Sequence, residues 1–174
     1  MTRQPGLGVD RQSGSLRAGR VGRPHGLDGG FYVSEPNPVL LEVGATVQVG
    51  GRSARITRRA GSSKRVILWI EGCNDLASVE AVRGEALLTP RADAPALDPN
   101  EWWAEDLEGC HVRDGDRQVG TVARMLTLPS CEVLVVHRDQ GVGHLLVPLI
   151  SDAVRTVDVD RGDIDVDLRF LGED

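Results

Sequence analysis

Aromatic side chains are scarce in this 174-residue chain, where three Trp, two Phe and one Tyr make up 3% of the residues. Wherever two rings stand together, that position therefore carries information. Cysteine is equally sparse. Cys73, Cys110 and Cys131 lie far apart and form no CxxC, which excludes a disulfide framework or zinc knuckle and suits a reduced, cytoplasmic protein. The longest apolar run, Leu145 to Ile150, is too short to span a bilayer. Met1 to Ser15 contains no apolar stretch of signal-peptide length, so neither membrane association nor secretion is expected.

Chemical signatures are missing as well. There is no GK[ST] phosphate loop, no GxGxxG and no GxSxG elbow, and nothing assigns a nucleophile or a tuned base. His25, His111, His137 and His144 have no metal-ligand spacing among themselves or with Cys110 and Cys131. The acidic stretch from Asp158 offers a calcium loop only superficially. Its glycine, Gly162, falls fifth rather than sixth, and Arg169 stands where a bidentate Glu belongs. A solvated strand face is the expected role of those carboxylates. No enzymatic activity, cofactor or metal is expected.

What the chain does have is a divided charge. Residues 1–95 hold 13 Lys+Arg against 9 Asp+Glu, and residues 96–174 hold 7 against 17, so the halves are +4 and −10 within a total of −6. A basic first half can face phosphate while an acidic second half faces a basic protein. The Pro/Ala/Asp-rich spacer Pro90 to Asn100 falls between them, and the expected organisation is a flexible lead over 1–15, a first domain over 16–90, a linker over 91–100 and a second domain over 101–174.

Both halves read as short strands separated by glycine-rich turns. Leu16 to Gly22 alternates apolar or small residues with arginine and is expected to stop at Pro24, before the loop Pro24-His25-Gly26-Leu27-Asp28-Gly29-Gly30. Phe31 to Val33, Thr46 to Val49 and Glu85 to Thr89 read as strands, and Ser53–Arg59 with Arg65–Glu71 as a hairpin around Gly61-Ser62-Ser63. Val66 to Ile70 is apolar at every position, which predicts a strand buried on both faces or lining a small barrel. Asp75 precedes apolar positions 76, 79 and 82 and predicts one short capped helix. Beyond the spacer the sequence gives further hairpins in series, the last alternating Val157, Val159, Ile164, Val166 and Leu168 with aspartates. The predicted fold is all-β, with two small antiparallel β-barrel domains and at most one or two short helices.

Two clusters stand out as candidate binding residues. Arg55, Arg58, Arg59, Lys64 and Arg65 gather on the first-domain hairpin, a plausible phosphate contact, although no aromatic adjoins them in sequence to stack on a base. Such cations equally protect an exposed strand edge. Trp102 and Trp103 are adjacent, and neighbouring side chains diverge on a strand or helix, so one flat core is not expected to take both rings. They can seal a domain seam or anchor a partner.

The run Ala18-Gly19-Arg20-Val21-Gly22-Arg23-Pro24-His25-Gly26-Leu27-Asp28-Gly29 resembles the N-terminal signature of the ribosome maturation factor RimM family, a strand leading into an H-G-x-x-G loop. Glu101-Trp102-Trp103, Asp106-Leu107-Glu108-Gly109, Val112, Gly115, Gly120 and Val122 resemble the opening of that family's C-terminal PRC-barrel domain. Leu134-Val135-Val136, Leu145-Leu146-Val147-Pro148 and Val157-Asp158 follow in the same order. The resemblance implies a cytoplasmic, monomeric, non-enzymatic chaperone of ribosome biogenesis that binds the head of the small ribosomal subunit. It implies contact with small-subunit ribosomal protein nineteen, assistance to processing of small-subunit rRNA, and a binding role for the aromatic pair, usually tyrosines, that maps to Trp102 and Trp103. It assigns no role to His25, Gly26 and Gly29 beyond the motif loop, where a histidine more often braces the turn than touches a partner. Gly30 departs from the pattern, because that family often carries an acidic residue there. The competing readings are a cofactor-binding β-barrel enzyme and a PRC-type interaction module unrelated to ribosomes.

Overall fold

A computed structural model describes residues 14–173, which separate into two compact units, one ending at Leu97 and one beginning at Asp98. All but the end of the lead expected over 1–15 falls outside the described residues; Ser15 already begins a strand.

The described residues of the first unit form six strands: β1 (Ser15–His25), β2 (Gly30–Ser34), β3 (Thr46–Val49), β4 (Arg52–Ser62), β5 (Arg65–Ile70) and β6 (Ala86–Pro90). They close into a barrel in the order β1-β2-β5-β4-β3-β6. The period-two pattern decides which side chains enter it, and Leu16, Ala18, Phe31, Val47, Leu68 and Leu87 point inward with almost no exposed surface. Burying each large aliphatic or Phe side chain contributes about 1.5–3 kcal/mol, and the closed barrel leaves no long unpaired edge.

One strand differs from the sequence-based expectation. β1 runs through Pro24 to His25, because β6 pairs with β1 only over Ser15 to Arg20 and the register shifts between Val21 and Pro24. Pro24 pairs with β2 alone, so its missing N–H removes no bond on the other side. In β5, Leu68 and Ile70 face the barrel interior and Trp69 the other side, yet Trp69 is only 8% exposed, so this stretch is buried on both faces as its unbroken apolar run predicts.

The short helix α1 (Leu76–Ala81) forms as its cap predicts. Asp75 accepts a hydrogen bond from the Ser78 N–H at 2.8 Å, while Ser78 Oγ accepts from the Asp75 N–H at 3.2 Å. The bond from the Ser78 backbone first, and the Ser78 hydroxyl after it, hold the Asp75 carboxyl below its ordinary value of 3.8. A depressed carboxyl stabilises the fold above its unfolded value and loses that contribution as pH falls through the folded value. Asp75→Ala is therefore expected to melt below wild type at neutral pH, with the gap narrowing once pH drops below 3.8. Thermal scans over that range would refute the cap if the gap stayed constant.

The second unit carries a four-residue helix, α2 (Ala104–Leu107), and β7 (His111–Asp114), β8 (Arg117–Thr127), β9 (Glu132–Arg138), β10 (His144–Pro148), β11 (Val154–Asp158) and β12 (Asp163–Val166). The sheet order is β10-β9-β8-β7-β12-β11, a half-barrel. All-β architecture with two barrel-like sheets thus holds, with two short α-helices. One pairing is not antiparallel: β12 lies parallel to β7, with Ile164 beside Val112. Both of those residues are fully buried, together with Leu107, Leu134, Val136 and Val166.

The acidic hairpin is not the freely solvated row that alternation suggests. Asp165 accepts from the Gly115 N–H at 3.0 Å, Asp158 from the Arg161 N–H at 3.0 Å and Asp167 from the Phe170 N–H at 3.0 Å. Arg155 joins the set, contacting Asp114 and reaching Asp165 at 3.1 Å and the Val166 carbonyl at 2.6 Å. Most of these carboxylates hold turns, which need acceptors for exposed N–H groups. Among the described residues no helix is long and apolar enough to cross a membrane.

Candidate functional site

In the second unit the two tryptophans diverge, as adjacent side chains must. Trp102 is half-buried and packs against the apolar core of this unit. With Leu149, Ile150, Val154 and Val157 it lines a cleft of about 500 Å³, with Asn100, Ser151 and Thr156 supplying polar atoms. Trp103, also half-buried, stands at the N-cap of α2 in extended conformation, and its carbonyl accepts the Asp106 N–H at 2.9 Å. Leu107, fully buried, ties the helix to the core and fixes the backbone from which the rings project. Neither ring is a simple core residue. Trp102 is both wall and foundation of the cleft.

In the first unit the predicted basic cluster divides. Arg55 donates to the Gly44 carbonyl at 3.1 Å. Arg59 is paired with Glu42 and donates to the Pro38 carbonyl at 3.2 Å, which pins the segment before β3. Lys64 is exposed at the hairpin tip. Arg58 and Arg65 are brought together with residues far from them in the chain.

Arg58 lies opposite Trp69 in the β4/β5 ladder, and its guanidinium sits 4.3 Å from the centroid of the indole ring. Arg65 and Arg23 stand over Tyr32 at 4.9 and 4.7 Å. Arg65 also donates to the Tyr32 hydroxyl at 3.3 Å. His25 joins both rings: its Nδ1 is 3.1 Å from the Tyr32 hydroxyl, and its ring meets Tyr32 and Trp69 edge-on at 5.2 and 5.9 Å. The expectation that no aromatic accompanies the basic hairpin is corrected here. Strand pairing sets Trp69, from the hairpin's own second strand, against Arg58, and the fold brings Tyr32 of β2 against Arg65.

The H-G-x-x-G loop shapes this surface. Gly29 has φ +82°, and a Cβ there would lie 2.0 Å from the Cys73 carbonyl oxygen, so the loop crosses the turn before α1 at a distance only glycine allows. A Cβ on Gly30 would lie 2.7 Å from the Trp69 ring. The absent carboxylate at this position thus has a steric counterpart, since the indole occupies the space. Gly26, at φ +71°, turns the chain after His25. The buried Trp69 N–H lacks a well-formed hydrogen bond but faces Asp28. That indole first, and Arg58 as a lesser influence, hold the exposed Asp28 carboxyl below its ordinary value. Arg58 and Asp28 approach to only 4.0 Å.

Trp69 and Tyr32 could have been found from a single signal, the outward phase of β2 and β5 set by the buried Phe31 and Leu68. Among the described residues no group of three His, Cys, Asp or Glu is placed to hold a metal ion.

Comparison with known proteins adds family relationships. Residues 104–170 match the RimM PRC barrel domain. The ribosome maturation factor RimM of Sorangium cellulosum is 34% identical over 150 residues, spanning 81% of this chain and 87% of that protein. That of Cutibacterium acnes is 35% identical over 156 residues, spanning 84% of each. The solution structure of the N-terminal domain of RimM from Thermus thermophilus is 27% identical and covers 48% of this chain and 98% of that domain, at a TM-score of 0.43.

Proposed function

Because the chain belongs to the ribosome maturation factor RimM family, we propose that it acts in maturation of the small ribosomal subunit as a binding protein rather than an enzyme. The observation that carries the mode of binding is the cleft walled by Trp102, with aliphatic and polar side chains around it, in a unit whose charge is strongly negative. Apolar anchors in a cleft give affinity, while surrounding charge steers the encounter and selects the sign of the partner. A basic ribosomal protein of the subunit head, protein nineteen, meets both requirements, with Trp102 and Trp103 as anchors. The basic face of the first unit takes the rRNA side of the same assembly. Neither contact needs bond making, and the protein works as a monomer in the cytoplasm.

Co-sedimentation of the purified chain with free small subunits and with intact ribosomes tests this reading. Retention on free small subunits and weaker retention on intact ribosomes is the expected pattern. Retention on neither would leave a PRC-type interaction module without a ribosomal role.

A further inference from the structure

We infer that the Arg58–Trp69–Tyr32 face of the first barrel is a docking site for single-stranded RNA, in which an unpaired base stacks on the outer plane of Arg58 and Arg23 and Arg65 hold adjacent phosphates. This deepens the proposed role of the basic face and rests on it.

The geometry differs from an ordinary basic patch in three respects. The guanidinium groups stand over rings, their central carbons 4.3, 4.7 and 4.9 Å from the ring centroids, so the long side chains are held before any ligand arrives and lose less freedom on binding. The rings beneath them are themselves fixed, Trp69 against Gly30 and His25, and Tyr32 through His25 and Arg65. Negative charge is also sparse: among the described residues neither Arg23 nor Arg65 has a carboxylate at ion-pair distance, and Arg58 has only the exposed Asp28 at 4.0 Å. Three cations gathered with one weak counter-charge repel one another, and a polyanion relieves that repulsion.

Which face stacks follows from exposure. Trp69 is 8% exposed, so the indole is not an open platform, whereas the side chain of Arg58 above it is 63% exposed. Arginine planes accept unpaired bases as aromatic rings do, and a base against Arg58 would add a third layer to the guanidinium that already stands 4.3 Å over the indole. A duplex keeps its base faces paired and stacked, so it offers phosphates but no base to Arg58. An acidic peptide would engage guanidinium edges and leave the plane unused.

Fluorescence anisotropy with a labelled, unstructured ten-nucleotide RNA and the full chain tests the site. The wild type is expected to bind the single strand more tightly than a hairpin of equal charge. Arg65→Gln should lower the slope of log affinity against log salt by about 0.7, as loss of one phosphate contact on a single strand does. Arg58→Lys keeps the charge but loses the plane, so the slope should hold while affinity falls on the order of tenfold, within the range of a lost stacking contact. With RNA lacking the bases, wild type and Arg58→Lys should become equal. Near-ultraviolet circular dichroism matching wild type shows that the lysine variant is folded. Absence of wild-type binding, equal preference for the hairpin, unchanged affinity in Arg58→Lys, or tighter binding of a polyglutamate peptide would each overturn the inference. Binding to small subunits without binding to the oligonucleotide defeats this inference alone, whereas the reverse outcome defeats the ribosomal reading alone.

Discussion

Gly29→Ala is expected to destabilise the first unit by about 3–5 kcal/mol, a large share of the 5–15 kcal/mol typical of a folded domain. Two effects add. At φ +82° any Cβ is strained, which accounts for about 1–2 kcal/mol. The new methyl would also lie 2.0 Å from the Cys73 carbonyl oxygen and 2.9 Å from Asn74 Cα, both backbone atoms. A side chain could rotate away, but this turn is held between Ile70, whose carbonyl accepts the Cys73 N–H, and the capping box of α1. Gly51→Ala provides the control, since it has nearly the same φ, +78°, with open space around it. Only the strain should appear there. Urea midpoints of the two variants separate the contributions, and equal losses would show that the close approach does not constrain the loop.

Trp102→Ala should reduce stability and binding together. Part of the ring packs on the second core, so truncation removes apolar burial worth about 1–3 kcal/mol, less than a fully buried Trp would lose. The rest of the ring walls the cleft, and its loss should abolish retention on small subunits at temperatures where the variant is still folded. Trp102→Phe keeps a flat apolar ring on the same rotamer path and should restore most of both. A folded alanine variant with wild-type retention would remove Trp102 from the binding surface. This expectation is sharper than one for an anchor free of the core, because Trp102 belongs to both.

The strands and their faces were largely readable from alternation. Thr46–Val49 forms over the residues that the pattern marks, and Asp75 caps the helix that follows it. Non-local pairings were not readable in the same way. The parallel β7/β12 pair joins residues about fifty positions apart, and nothing in either segment distinguishes a parallel from an antiparallel neighbour. The Arg58–Trp69 stack was hidden for a local reason. Ile56 faces the core, so a regular strand would send Arg58 inward as well; the register shift between Ile56 and Arg58 resets the phase and turns Arg58 out over Trp69. A one-residue irregularity therefore converts a charged hairpin into an aromatic-backed surface. The cleft around Trp102 was legible only in part, as an aromatic pair needing a role, because Leu149, Ile150, Val154 and Val157 come from later segments.

The contact between Gly30 and Trp69 also couples the two positions mechanically. A Cβ at 30 would stand 2.7 Å from the indole and 2.9 Å from the His25 carbonyl oxygen, so any side chain there would push on the ring that Arg58 covers. The bare backbone at 30 is thus the floor on which the indole, and the arginine above it, are levelled.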